Sequence, residues 1–232
     1  ASEALLGLKS CDNALFVIDA IDSVKPQSEN LWRMASSEGL ARICFINKMD
    51  RERADFDQVL ADIADIFEIK PLVLTLPIGA EDSFKGIVDV LNKKAYIYEK
   101  DGSGKFTIGE VSSEIQDRLE EVHSSVVEDL AEVDDALMEK YLEGEELSQD
   151  ELASALSAGL SKGQFLPVFA GSALLNMGVH PLMDFINASC ISPKQRKMPV
   201  LKNKNDQTKE IRPEEDEIFC GHVFKTMSDP YT

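Results

Sequence analysis

The sequence contains no apolar run near the roughly 18 to 20 residues that a membrane-spanning helix requires. It also has no basic segment followed by an apolar one at its start, which is the pattern of a secretory leader. We therefore expect a soluble, unprocessed chain without a membrane partner. Because it begins with Ala and stops just after a strand-like run, we also expect it to be part of something longer. Its 232 residues, 44% of them apolar, can bury the core of one domain and a smaller appendage.

Basic residues are scarce: 24 Lys and Arg stand against 42 Asp and Glu, for a net charge of −18. Contact with a phosphate backbone is driven by Lys and Arg that displace counterions, so we expect no direct binding to nucleic acid. The charge is also uneven. Residues 110–151 hold 16 acidic and two basic residues, and so account for 14 of the 18 net negative charges.

Paired cysteines and clustered histidines are missing as well. The four cysteines are scattered without C-x-x-C spacing, and two of them fall inside apolar runs. This suits small buried thiols in a reducing compartment, so we expect a cytoplasmic protein. None of the three histidines has a Cys, His or Asp neighbour at metal-ligand spacing, and we predict no metal site.

Short apolar runs alternate with helical patterns in the first part of the chain. Residues 14–19 and 42–47 are almost continuously apolar, as strands buried on both faces are. Helices are predicted over 28–38 and 56–67, further strands over 72–76 and 166–170, and a closing helix over 179–188. Alternation of strand and helix predicts an α/β fold with a parallel sheet and flanking helices.

The pattern changes between residues 78 and 159. Short strands are predicted over 86–91, 95–98 and 105–108, with a hairpin turn at 101–104. One long helical stretch follows over 115–137, and Ser148 with Glu151 predicts the capped start of another helix. We therefore divide the chain into an α/β domain (1–77 and 160–191), an inserted acidic α+β subdomain (78–159), a linker (192–217) and the start of a further domain (218–232).

The strongest short motif is Asn47-Lys48-Met49-Asp50, directly after a predicted strand, where parallel sheets bind ligands. An ionised Asp50 can accept two parallel hydrogen bonds from N1–H and the 2-amino group of guanine, whereas adenine offers neither donor. Asn47 would reach the N7 side of the base or tie neighbouring loops together, and the stem of Lys48 would cover the ring or ribose. The alternative is a polar loop that caps the next helix.

A second loop, Gly171-Ser172-Ala173, follows the predicted strand 166–170. A small residue there lets backbone N–H groups approach a ligand oxygen, and we predict that the N–H of Ala173 donates to guanine O6. By itself the tripeptide favours a plain turn over a binding loop, and only its order after Asn47-Lys48-Met49-Asp50 supports the binding loop.

Taken together, these segments resemble the elongation factor G family of translational GTPases over essentially the whole chain. The segments that carry the resemblance are Val24-Lys25-Pro26-Gln27-Ser28-Glu29 with Trp32-Arg33, Asn47-Lys48-Met49-Asp50-Arg51, Pro77-Ile78-Gly79, Met138-Glu139-Lys140-Tyr141-Leu142 and Gly171-Ser172-Ala173. The run 53–56 and the insertion look more like a paralogue than the housekeeping factor. The stretch 174–177 departs from the family, which often has a Lys there.

The resemblance implies a partial P-loop-type G domain with an insertion at 78–159 and the first strand of a second, β-barrel domain from residue 218. It implies GTP or GDP as ligand, cofactor-binding residues Asn47, Lys48, Asp50, Ser172 and Ala173, and GTP-driven translocation on the ribosome. The acidic insertion would contact the stalk protein of the large ribosomal subunit. Release factors and tetracycline-resistance ribosomal protection factors remain alternatives within the family.

The phosphate loop G-x-x-x-x-G-K-[S/T] and the D-x-x-G turn are absent. Residues 7–10 and the pair Gly104-Lys105 match the first motif only in part. We therefore expect a fragment without the N-terminal part of the G domain, with no catalytic residue, no Mg²⁺ ligand and no GTP hydrolysis of its own. The alternative function is a non-catalytic interaction module whose acidic subdomain docks a ribosomal partner, and a merely solvated acidic face is the plainest interpretation of that segment.

Overall fold

The computed structural model describes residues 2–195, 200–202, 208–210, 213–214, 216, 219, 221 and 223–227. Its elements in chain order are α1 (Ser2–Leu8), β1 (Asn13–Asp19), α2 (Pro26–Ser37), β2 (Ala41–Asn47), α3 (Phe56–Phe67), β3 (Pro71–Val73), β4 (Thr75–Ile78), a 3₁₀ helix (Glu81–Ser83), β5 (Gly86–Asp89), β6 (Lys94–Tyr98), β7 (Phe106–Gly109), α4 (Ser113–Ala131), α5 (Asp135–Leu142), α6 (Gln149–Lys162), β8 (Leu166–Ala170), α7 (Val179–Ser189), β9 (Val200–Lys202) and β10 (Thr208–Glu210).

The main sheet has four parallel strands in the order β1-β2-β8-β3. Its central strands, β2 and β8, are the most continuously apolar and are buried along most of their length. In the register of β1 and β2, Asp19 lies opposite Asn47, so both strands end at one edge of the sheet. The predicted parallel sheet with flanking helices is therefore correct.

Helices α2 and α3 cover one part of this sheet and meet at Trp32. The Trp32 ring is buried, lies stacked on Phe67 with ring centroids 4.3 Å apart, and donates from Nε1 to the Phe67 carbonyl at 3.0 Å. The guanidinium of Arg42, from β2, lies 4.2 Å above the centroid of the indole ring. Trp32 is thus a core-packing residue, because both faces and the N–H of its ring are occupied.

The second sheet is an antiparallel meander in the order β4-β5-β6-β7. It begins at Thr75, so the single strand predicted over 72–76 is in fact two strands in different sheets. The chain crosses between the sheets where the Leu74 N–H donates to the Val168 carbonyl at 2.9 Å and the Thr75 hydroxyl accepts from the Ala170 N–H at 2.8 Å. Both strands are apolar, so hydropathy did not reveal the break.

The long helix predicted over 115–137 is two helices, α4 and α5. Asp134 interrupts it, because its side chain accepts a hydrogen bond from the Ala136 N–H at 2.9 Å and so caps α5. The apolar residues keep their helical spacing across the break, so the break could not be predicted from the sequence. At α6 the predicted capping box of Ser148 and Glu151 is present, and the helix runs past the predicted boundary at 159 to Lys162.

Ion pairs fasten the acidic helix α4 to the rest of the molecule. Lys70 pairs with Asp129, Arg118 pairs with Asp57, and Lys93 lies 2.6 Å from Glu120. Burial raises the pKa of Asp129, and the Lys70 ammonium offsets this effect only in part. The buried residues of both sheets and of α4 and α6 form one continuous core. The inserted segment therefore shares its core with the parallel sheet.

Within the predicted linker, strands β9 and β10 pair antiparallel, so 192–217 is not wholly irregular. The strand predicted over 218–224 lies partly outside the described residues, and those described there (219, 221, 223 and 224) lie in no strand. Cys44 is buried, Cys11 and Cys190 are half-buried, and none of these three described cysteines forms a disulfide, whereas Cys220 lies outside the described residues.

The described residues contain neither a helix suited to cross a membrane nor a cluster of metal-binding side chains. No helix there combines the length and apolarity needed to cross a bilayer. Within the same residues, no group of three or more His, Cys, Asp or Glu side chains is arranged to hold a metal ion.

Candidate functional site

The two predicted binding loops lie side by side because they follow neighbouring parallel strands. The loop 47–50 continues from β2, and the loop 171–177 continues from β8. The Met49 N–H donates to the Gly171 carbonyl at 3.2 Å, and the Gly171 N–H donates to the Ile46 carbonyl at 3.0 Å. Met49 itself is buried, so its side chain anchors the first loop in the core while its neighbours stay near the surface.

The side chain of Asn47 joins the two loops. Its Oδ1 accepts from the Lys48 N–H at 2.8 Å and from the Ala173 N–H at 2.9 Å. Of the two roles left open for Asn47, the structure shows the one of tying loops together. It also gives the Ala173 N–H an acceptor within the protein, an arrangement that the sequence analysis did not foresee.

Asp50 carries the least satisfied polar group of the site. Its side chain is only 13% exposed, and Oδ2 lies 3.7 Å from Arg51 Nε, beyond hydrogen-bond distance. The other oxygen, Oδ1, is buried and accepts no hydrogen bond from any described residue. Burying a charged oxygen without a donor is costly, so this carboxylate is arranged to receive a donor from elsewhere.

Lys48 reaches back to the end of β1. Its backbone has φ +68°, and its ammonium group donates to Asp19. Burial by itself would raise the pKa of Asp19, but hydrogen bonds from Lys48 and from the Ile21 backbone outweigh it and leave this pKa lowered. The ionised Asp19 therefore fixes the head of Lys48. No role was predicted for Asp19 from the sequence, although its place at the end of a predicted strand was a usable signal.

Residues other than glycine adopt a left-handed backbone repeatedly around the site. Lys48, Arg53, Glu81 and Asn176 all have φ between +53° and +68°. Such conformations cost about 1–2 kcal/mol each and persist where contacts enforce them. Here the Glu81 N–H donates to the Met49 carbonyl at 2.9 Å, and the Glu81 carboxylate accepts from the Arg53 N–H at 2.7 Å. Glu81, which the sequence analysis missed, thus braces the first loop.

Ser172 shapes the second loop and does not face solvent. It is fully buried, exchanges two backbone hydrogen bonds with Met177 (3.0 and 2.9 Å), and accepts from the Leu175 N–H at 3.3 Å through its hydroxyl. Gly171 is required for a related reason, since a Cβ there would lie 2.3 Å from the Met177 carbonyl oxygen. Ser172 and Ala173 therefore lie in a tightly closed loop directly beside Asn47.

The chain is similar to known proteins in both sequence and fold. Residues 1–192 match the family described as the elongation factor Tu GTP binding domain. The chain belongs to this family. It is 38% identical over 233 residues to elongation factor G of Aquifex pyrophilus, an alignment that covers 99% of this chain and 33% of that protein. The chain thus spans about a third of the length of this curated relative.

A solved crystal structure of a protein from Thermus thermophilus is similar in three dimensions, with a TM-score of 0.77 and 30% sequence identity. The match covers 86% of this chain and 30% of that one. Together with the family match, it confirms the predicted relation to the translational GTPase family and the G-domain-type parallel sheet, to which an antiparallel sheet is added. The sequence matches also confirm the relation to elongation factor G and to GTP-binding proteins of translation.

Proposed function

We propose that this chain is the guanine-recognising part of the GTP-binding domain of an elongation factor G-like GTPase. The observation that supports this most directly is the buried, unpartnered Oδ1 of Asp50 at the carboxyl edge of the parallel sheet. Guanine presents N1–H and a 2-amino group as two parallel donors, which match a carboxylate lacking donors of its own. The residues present therefore fit a guanine base.

The other predicted residues take supporting roles in this proposal. Asn47 holds the Ala173 N–H in place, and that N–H is shared between Asn47 Oδ1 and guanine O6 as a three-centre hydrogen bond. The methylene stem of Lys48, whose head is fixed by Asp19, covers one face of the base. Ser172 keeps the loop closed.

When bound, GTP supplies the phosphoanhydride bond whose hydrolysis would drive translocation on the ribosome. We assign no catalytic residue and no Mg²⁺ ligand in this chain. The two partial phosphate-loop motifs lie in the wrong context, because Gly7 belongs to α1 and Gly104 to the turn between β6 and β7, not between a strand and a helix. We therefore expect no GTP hydrolysis by this chain alone.

Base selectivity tests the proposal directly. Without a phosphate grip, we expect GDP to bind the isotope-labelled chain with a dissociation constant of about 1 mM or weaker, which an NMR titration can follow. Amide shifts should be concentrated at Lys48, Asp50 and Ala173, and ADP at equal concentration should leave them unmoved. Equal responses to GDP and ADP would contradict the proposal and favour the interaction module.

The ribosome is the proposed partner of the complete protein, with the stalk protein of the large subunit at the acidic insertion. The support is the charge of residues 110–151 together with the exposure of Glu128 and Glu132 on α4 and at its end. Asp129 is excluded from this surface because it is buried against Lys70. An acidic face would speed association with a basic partner at low salt.

Reversing Glu128 and Glu132 to Lys should slow association of this chain with purified stalk protein by about tenfold at low salt, as expected for loss of electrostatic steering. Stopped-flow fluorescence at two salt concentrations measures this rate. Reversing the exposed Glu38 and Asp65 to Lys makes the same change in net charge elsewhere and should have much less effect. Equal effects of the two pairs would show that the acidic face is only a solvated surface and not a docking site.

That the complete protein is an elongation factor, and not a release factor or a ribosomal protection factor, stays a prediction. Its cytoplasmic location stays a prediction as well.

A further inference from the structure

The turn between β6 and β7 packs against the second binding loop. At Gly104, which has φ +74°, an added Cβ would lie 2.4 Å from the side-chain nitrogen of Asn176 and 3.3 Å from its carbonyl oxygen. At Gly102, the corresponding position is 3.9 Å from the Leu174 carbonyl oxygen. This turn of the antiparallel sheet therefore lies in van der Waals contact with residues 174–176, just beyond Ala173.

A buried hydroxyl group makes a second connection between the same two parts of the molecule. Tyr98, the last residue of β6, has its hydroxyl oxygen 2.5 Å from Nδ1 of His180. Burial raises the pKa of Tyr98 and lowers that of His180, so the hydroxyl is protonated and the imidazole is neutral near pH 7. The Tyr98 hydroxyl and Nδ1 of the neutral imidazole thus share one hydrogen bond.

Aromatic contacts restrict His180 further. Its ring lies stacked on Phe106 of β7, with centroids 4.2 Å apart, and edge-on to Tyr96 of β6, with centroids 4.8 Å apart. His180 lies in the first turn of α7, which begins directly after the second binding loop. The antiparallel sheet thereby holds both the middle of that loop and the helix start that follows it.

We propose that Tyr98 is a positioning residue for guanine recognition, which acts through His180 to hold the 171–177 loop where the Ala173 N–H meets O6 of the base. This inference rests on the proposed function. It makes the inserted antiparallel sheet a part of the nucleotide site, although none of its residues need touch the nucleotide. If Tyr98 only stabilised the fold, its replacement would lower the affinity for every purine nucleotide by the same factor. A positioning role instead predicts a selective loss at the contact to O6.

The experiment compares Tyr98→Phe with Tyr96→Phe. Both variants lose one phenolic hydroxyl from β6, and the hydroxyl of Tyr96 makes no hydrogen bond to the residues that the structure describes. NMR titrations would use GDP, IDP, which lacks the 2-amino group, and 6-thio-GDP, whose sulfur is a weak acceptor in place of O6. The ratio of GDP to IDP affinity reports on Asp50, and the ratio of GDP to 6-thio-GDP affinity reports on Ala173.

For Tyr98→Phe we expect GDP affinity to fall about threefold to fivefold, within the range of one weakened hydrogen bond. The preference for GDP over 6-thio-GDP should shrink accordingly, while the preference for GDP over IDP stays as in the parent chain. Amide exchange at Ala173 should also accelerate. Tyr96→Phe should change none of these. An unaltered GDP to 6-thio-GDP ratio in Tyr98→Phe, with guanine preference intact in the parent chain, would overturn this inference alone.

A second pair of variants tests the turn. Gly104→Ala and Gly144→Ala both place alanine at a left-handed position (φ +74° and +81°), but an added Cβ at Gly144 meets nothing within 4 Å. Only Gly104→Ala should reduce the GDP to 6-thio-GDP ratio, and equal ratios in the two variants would contradict the role of the turn. Absence of any GDP preference in the parent chain would instead overturn the proposed function, and this inference with it.

Discussion

Replacing Asp50 with asparagine should reverse the purine preference of the chain from guanine to xanthine. The aspartate accepts two hydrogen bonds, from N1–H and the 2-amino group, and hydrogen bonds to a charged group contribute about 1.5–3 kcal/mol each. An asparagine accepts one and donates the other, so it opposes the 2-amino group of guanine and complements the 2-oxo group of xanthine. We therefore expect GDP binding to fall by about 100-fold or more, given tenfold for each 1.4 kcal/mol.

In the NMR titration, the GDP response of Asp50→Asn should vanish over the range where the parent chain responds, and XDP should produce it instead. Asp65→Asn makes the same chemical change at an exposed site on α3 and should leave the GDP preference intact. If Asp50→Asn still prefers GDP to XDP, the buried carboxylate does not face the base, and the role proposed for it is wrong.

Replacing Gly178 with alanine should destabilise the fold far more than the same change at Gly39. Both glycines are left-handed (φ +74° and +67°), and alanine there costs about 1–2 kcal/mol. At Gly178 the added Cβ would also lie 2.3 Å from the Ala170 carbonyl oxygen and 3.1 Å from the Gly171 Cα, whereas at Gly39 it meets nothing within 4 Å. These atoms belong to the backbone at the end of β8 and cannot rotate away.

We expect Gly178→Ala to lower the free energy of unfolding by about 2–5 kcal/mol, since overpacking of about 1–3 kcal/mol adds to the backbone cost of about 1–2 kcal/mol. Gly39→Ala should lower it by about 1–2 kcal/mol. Urea denaturation measures both values. Equal losses would show that the backbone around Gly178 moves to accommodate the added Cβ without a further cost in free energy. Amide exchange in 171–177 should accelerate only in Gly178→Ala, because the displaced backbone carries that loop.

The strands of the parallel sheet could be predicted closely because they are buried on both faces. Strand β8 was predicted at its observed limits, and β1 and β2 within one residue of theirs. The family of the chain followed from five short segments in order, and the place of the binding motif in the fold followed from one rule, that ligands bind beyond the carboxyl ends of parallel strands. These were local properties, readable from neighbouring residues.

Other features depend on contacts between distant parts of the chain. The run 72–76 divides between two sheets because Leu74 and Thr75 bond to β8, almost a hundred residues later. Glu81 braces the loop after β2, and Tyr98 reaches α7, through hydrogen bonds that no spacing in the sequence indicates. The acidic segment was visible from composition, but the burial of Asp129 against Lys70 was not.

The amino-acid sequence alone determined the parallel strands β1, β2 and β8, the guanine-type motif and the family, because buried apolar runs and short motifs consist of consecutive residues. Only the tertiary structure decided which polar groups find partners. It left Asp50 Oδ1 without a donor among the described residues, assigned the Ala173 N–H to Asn47, and placed the inserted sheet behind the second loop. The physical reason is that a hydrogen bond depends on separations of about 3 Å, which are set by packing of elements far apart in the chain.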